Sequence, residues 1–293
     1  MTFKEKLQSG KFLVTSEIGP PKGIQTKVIL EDAELIRGRV DGINVTDLQS
    51  SVMRLGSLAV CSLLKQKGFE PIFQVTCRDR NRLALQSDIL SAAALGIENL
   101  LILTGDHTTL GDHPEAKPVF DLDSVQLLQV VRRLQEGFDM KGNKLEGGSP
   151  KFCVGAVVNP GSDPLEPQII KMEKKIAAGA EFFQTQAVYD LKVFENFLSK
   201  IKHLKTTLMA GVVLLKSAGM ARYMNKNVSG VFVPEDLVKE MEGAKDKVAQ
   251  SVTIASRLIK ELKPMCQGIH IMPIGWDKVV PKVLEASELW SRA

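Results

Sequence analysis

Lys175-Ile176-Ala177-Ala178-Gly179-Ala180-Glu181-Phe182-Phe183-Gln184-Thr185-Gln186 changes its period in mid-stretch. Its first half continues a helical pattern that stops at Gly179, a residue suited to closing a helix. Its second half is a short β-prone run. Ala93-Ala94-Leu95-Gly96 closes another helical stretch in the same way, ahead of Leu100–Thr104.

Working outward, the same alternation fills the chain. β-Prone runs fall at 12–18, 42–46, 71–77, 100–104, 152–158, 182–186, 208–214 and 268–272. Most are continuously apolar, as expected of strands covered on both faces. Helical stretches lie near 26–38, 54–67, 81–95, 123–136, 165–178, 190–202, 217–226, 244–262 and 277–289. Eight strand–helix units predict an α/β chain: one (β/α)₈ TIM barrel over residues 1–293, with extra C-terminal helices. A doubly wound open sheet is the rival, because pattern alone does not show closure.

The 293 residues are 44% hydrophobic and 25% charged, which excludes a disordered or fibrous chain. No apolar run reaches the ~18 residues of a membrane helix, and the N-terminus is charged at once, so a cytoplasmic protein off the membrane is expected. The net charge of +4 is dispersed and lacks interleaved aromatics, which argues against a nucleic-acid partner. The four cysteines form no CxxC pair and the histidines show no ligand spacing; no metal site is expected.

In a barrel the chemistry sits at the C-terminal ends of the strands. Those ends carry Glu17, Thr46-Asp47, Gln74 with Thr76, Thr104-Gly105-Asp106, Asn159 and Thr185-Gln186. Glu17 and Asp106 are expected to face one mouth, flanked by the long polar loop 105–122. Gln74 and Gln186 interrupt apolar strands, where an unpaired amide costs ~1–3 kcal/mol and a ligand would satisfy it. Plainer roles stay open: an ion pair for Glu17, a loop or cap for Asp106, a hydrogen bond inside the barrel for Gln186, and solvation for Lys174-Lys175. No GxGxxG or P-loop is present, so a nucleotide cofactor would be held by loops.

Several segments resemble the methylenetetrahydrofolate reductase family, in order along nearly the whole chain. Ser16-Glu17-Ile18-Gly19-Pro20-Pro21-Lys22 is similar to its opening S/F-E-x-x-P-P-R/K segment, and Gly42–Asp47 to its second strand. Val75-Thr76-Cys77-Arg78-Asp79 resembles H-x-T-C, Leu103-Thr104-Gly105-Asp106 resembles L-x-G-D, and Lys175–Gln186 resembles K-x-x-A-G-A-x-x-x-x-T-Q. Four positions depart from the pattern: Gln74 replaces a histidine, Thr104 an arginine, Asn159 a tyrosine and Asp163 a histidine. Ile274-Gly275-Trp276-Asp277 stands where relatives carry L-N-R.

The resemblance implies a flavin-bearing barrel that reduces 5,10-methylenetetrahydrofolate to 5-methyltetrahydrofolate by hydride transfer. It assigns Glu17 as the general acid and Asp106 as the charge beside pterin and flavin. Gln186 falls on the substrate-binding glutamine. Thr46, Asp47, Gln74, Thr104, Gly105, Asp106, Asn159, Gln168 and Lys175 are expected at the flavin, Lys175 at its phosphate. FAD is the family's flavin and FMN the alternative. NAD(P)H or a separate iron–sulfur and zinc-binding subunit would supply electrons, and an oligomer or hetero-complex is expected. No regulatory domain of the kind carried by eukaryotic relatives is expected. Two other readings are a non-redox scaffold subunit and a flavin-free pterin methyltransferase barrel.

Overall fold

Strands hidden from water on both faces must pair on both edges, and eight of them do so here by closing into a ring. The computed structural model of the chain describes residues 1–290. The strands are β1 (Leu13–Ile18), β2 (Gly42–Val45), β3 (Pro71–Thr76), β4 (Asn99–Leu103), β5 (Cys153–Val158), β6 (Phe182–Ala187), β7 (Thr207–Val213) and β8 (Gly268–Met272). All pair in parallel, in chain order, and β8 closes on β1 through Leu13↔Gly268 to Ser16↔Ile271. The closed (β/α)₈ barrel expected from the sequence is therefore present, and the open sheet is not.

The outer ring consists of α2 (Lys27–Leu35), α3 (Ser57–Gln66), α4 (Arg82–Ala94), α5 (Ser124–Gln135), α6 (Glu166–Ala177) and α7 (Leu191–Lys200), each following the strand of one lower number. The extra helices are α8 (Ala218–Asn227), α9 (Glu235–Gly243) and α10 (Lys247–Leu262) between β7 and β8, and α11 (Val280–Ala286) after β8. Side chains in the connections start many of these helices: Asn81, Asp123, Asp190, Ser217 and Asp246 each accept backbone N–H bonds at an N-terminus.

Two helices escaped the sequence reading. One is α9, and the other is α1 (Phe3–Gln8), whose Lys and Glu residues mask one essential apolar side chain. Phe3 is fully buried and packs edge-on against Phe182 at 5.3 Å, among Leu13, Ile72, Leu101, Cys153 and Met209. It plugs the N-terminal end of the barrel. The last helix is shorter than expected, being preceded by a single tight turn at Asp277–Val279. Trp290 is half-buried and lies under the Arg39 guanidinium at 3.9 Å. All four cysteines are buried and free. Burial pushes the Cys77 and Cys153 thiols up to about 12, so neither is a ready nucleophile.

Candidate active site

The barrel interior changes character along its axis, because inward side chains recur every second residue and stack in layers. The lowest layer is the apolar cluster capped by Phe3. The next is polar, and all four of its members are buried: Thr15, Asn44, Gln184 and His270. Asn44 and Gln184 exchange two amide hydrogen bonds of 2.8 and 3.1 Å, and Gln184 Nε2 also donates to Thr15 Oγ1 at 3.1 Å. Thr15 Oγ1 lies 2.9 Å from His270 Nδ1. The His270 Nε2 atom is then 3.8 Å from a Glu17 carboxylate oxygen. A satisfied polar layer thus supports the acid from below.

Above it opens a cavity of about 400 Å³ at the C-terminal ends of the strands. Every position picked out by sequence lines it: Glu17, Thr46, Asp47, Gln74, Thr104, Gly105, Asp106, Asn159, Gln168, Lys175 and Gln186. Glu17 is only 6% exposed and Asp106 is exposed at the rim, so the two acids share one mouth in different solvent environments. Gly105, at φ +92°, sets up this bend; a side chain there would press on Thr76 and Arg78.

The lining residues differ in how much hydrogen-bonding capacity they keep. Asp47 Oδ2 accepts from the Thr76 backbone N–H and hydroxyl, both at 2.9 Å, and from Arg80, so this carboxylate is tied into the wall. The Asn159 amide donates to Ser229 O at 2.9 Å and accepts from Gly161 N, pinning the loop beside it. Gln186 Oε1 accepts from Ala187 N at 3.0 Å, at the register shift between β6 and β7. Thr104 donates to Ser124 Oγ at 3.1 Å.

Two features of the wall are suited to binding a ligand. Thr46 Oγ1 is buried in the cavity wall without a hydrogen-bond partner. Lys175 corrects the default expectation of solvation: Lys174 is exposed, but Lys175 is 5% exposed and turned inward. Its ammonium donates to Val157 O at 2.6 Å. Among the described residues no carboxylate is in ion-pair contact with it. Burial, then the neighbouring Lys171, lower its pKa to about 8. A buried cation beside a second cation is a place for an anion. The unpaired hydroxyl, the cation and the amides of Gln74 and Gln168 suit an anionic ligand with several hydrogen-bonding groups.

Reading only the strand ends missed Thr15, Gln184 and His270, which lie deeper in the barrel. Each lies two residues before a cavity position on its own strand: Glu17, Gln186 and Met272. That spacing was the available signal. The reading also gave no role to Gln49, Arg78, Asn44 or Lys171.

A second, half-buried acid stands near Glu17. Burial above all, then Asp32 and Glu17, push the Asp277 carboxyl up to about 6, against the opposing effects of its own backbone N–H and, less, of Lys216. A carboxyl raised in the folded state stabilises the fold most below its unfolded value, and this contribution is lost as pH rises through about 6. Asp277→Asn is therefore expected to raise stability by roughly 1–2 kcal/mol at pH 7.5 and to change little at pH 4. Urea melts at the two pH values measure this, and an equal effect at both would contradict it.

The profile of the methylenetetrahydrofolate reductase family matches residues 2–288. The chain is similar to methylenetetrahydrofolate reductase 2 of Schizosaccharomyces pombe, at 23% identity over 321 residues, covering 98% of this chain and 47% of that protein. It is also similar to a probable methylenetetrahydrofolate reductase (NADPH) of Caenorhabditis elegans, at 21% identity, covering 85% of this chain and 36% of that one. The chain thus spans less than half the length of these curated relatives. Among solved structures, a Clostridium thermocellum protein that binds two copies of 5-methyl-5,6,7,8-tetrahydrofolic acid aligns over 98% of both chains, with a TM-score of 0.65 and 16% identity. A 2,3-dimethylmalate lyase aligns over 98% of this chain and 87% of its own, with a TM-score of 0.53 and 11% identity. At such identities these likenesses speak for the barrel alone. The profile match runs across nearly the whole barrel, and the chain belongs to the methylenetetrahydrofolate reductase family.

Proposed function

We propose that this barrel is one flavin-binding unit that reduces 5,10-methylenetetrahydrofolate to 5-methyltetrahydrofolate. The observation that carries the reading is the pairing, in one cavity, of a buried acid held on a polar layer with a buried cation that lacks a carboxylate. When bound, a reduced flavin supplies a hydride. Thr46, Gln74, Gln168 and Lys175 would hold it, with Lys175 toward the phosphate. FAD, the family's flavin, or FMN would satisfy these donors.

The substrate's methylene carbon bridges N5 and N10, and the product keeps it only on N5. The N10–carbon bond must therefore break, and N10 must gain a proton while the carbon gains a hydride. Glu17 is the proton source in this reading, reprotonated from the solvent side of the mouth. Asp106 at the rim opposes the positive charge that develops at N5 as the bond to N10 breaks. Gln186 presents its amide nitrogen to the pterin, its oxygen being occupied by Ala187 N. NAD(P)H or a partner subunit would supply the electrons that a bound flavin passes on.

Flavin content tests the reading against its rivals. The purified chain, or its apo form titrated with FAD and FMN, is expected to bind flavin with the bleachable visible spectrum of a redox centre. A protein that takes up methyltetrahydrofolate but neither flavin would instead support the flavin-free methyltransferase barrel, and one that takes up none of these the scaffold.

A further inference from the structure

The connection from β2 to α3 is built at a cost. Leu48 (φ 46°), Ser50 (φ 55°) and Ser51 (φ 58°) all adopt left-handed backbone, which disfavours non-glycine residues by roughly 1 kcal/mol or more each. Such a conformation persists only where the surroundings impose it, and three contacts do so. The fully buried Arg78 donates through Nη2 to Leu48 O at 3.1 Å and through Nη1 to Asp106 O, also at 3.1 Å. Asp112, from the loop after β4, accepts from Met53 N at 2.9 Å and pairs with Lys22 of the loop after β1 at 2.7 Å. Gly111 lies so close to Ser51 O that any Cβ there would fall 1.8 Å from it.

The strained turn delivers one side chain to the acid. Gln49, half-buried at the cavity wall, donates through Nε2 to Glu17 Oε1 at 3.1 Å. The other oxygen, Oε2, faces His270 Nε2 at 3.8 Å. The hydrogen bond from Gln49 fixes the orientation of the carboxyl group against the cavity wall. We infer that Gln49 is a positioning residue for Glu17, holding its carboxyl group in one orientation at the cavity, and that Asp112 is the latch that holds its turn across the mouth. This rests on Glu17 being the acid. Because the same latch secures the loop carrying Asp106, both acids keep their relative placement through one set of contacts.

Gln49→Met keeps the length of the side chain and removes the donor. The flavin-loaded variant, reduced with dithionite and mixed anaerobically with 5,10-methylenetetrahydrofolate, is expected to reoxidise about 10-fold or more slowly. Its folate Kd and flavin content should stay within about twofold of the parent. A solvent deuterium effect on that step should grow, because transfer from a misaligned acid becomes slow. Asp112→Ala should slow the same step in the same direction by a smaller factor. A Gln49→Met protein with unchanged rate and isotope effect overturns the inference. So does one whose flavin binding, folate binding and rate all fall together, or a normal Asp112→Ala. Failure of the parent chain to reoxidise with the folate would instead refute the reading of Glu17 as the acid.

Discussion

Glu17→Gln is expected to lower folate-driven flavin reoxidation by about 10²- to 10⁴-fold while flavin binding and reduction by dithionite are retained. The argument is geometric. Glu17 is nearly sealed from water, takes one hydrogen bond from Gln49 and faces His270, which is itself held by Thr15. Glutamine fits the same space and can keep a hydrogen bond to Gln49, so the fold has no reason to fail. What it lacks is a proton it can release to N10 at an acceptable cost. Anaerobic stopped-flow on parent and variant checks the expectation. Folate-driven reoxidation within about threefold of the parent would remove Glu17 from the chemistry.

Lys175→Met is expected to move stability and binding in opposite directions. A lysine whose folded pKa is lowered to about 8 costs stability wherever it must be charged in the fold, that is, below about pH 8. The penalty fades as pH rises from about 8 toward the unfolded value near 10.4. Replacing it with an apolar side chain of similar length should therefore stabilise the ligand-free protein by about 2 kcal/mol at pH 7, and by almost nothing above pH 10.5. The same change should weaken FAD or FMN by roughly 10- to 100-fold through loss of a charge-assisted bond to phosphate, while leaving riboflavin unaffected. Thermal melts and fluorescence titrations read both arms. Equal weakening of riboflavin and the phosphorylated flavins would place Lys175 away from the phosphate.

The barrel was legible because a parallel strand covered on both faces has to be apolar throughout. Such runs locate β1 to β8 to within about a residue or two of their observed ends. What the pattern hides is a short element whose value lies in one residue. Phe3 in α1 and the turn bearing Gln49 are of this kind. Polar side chains inside apolar strands marked Glu17, Gln74 and Gln186 correctly as cavity residues. The partners of the polar layer depend on register, which sets Thr15 beside His270 and is written in no single strand. For Lys174-Lys175 the residue pattern alone leaves solvation open, for a related reason. Adjacent lysines look alike in sequence, but the roll of α6 on the barrel sends Lys174 to solvent and Lys175 inward. The Asp47 carboxylate is visible as a strand-end acid, whereas its capture by Arg80 and Thr76 is a tertiary fact.

One measurement bears most directly on the central claim. The flavin-loaded protein, reduced with one equivalent of dithionite under anaerobic conditions, is mixed with 5,10-methylenetetrahydrofolate, and flavin absorbance and folate products are followed together. The flavin should recover its oxidised spectrum as 5-methyltetrahydrofolate appears in equal amount. A flavin that stays reduced in the presence of excess folate, or that reoxidises without forming the methyl product, would contradict the account.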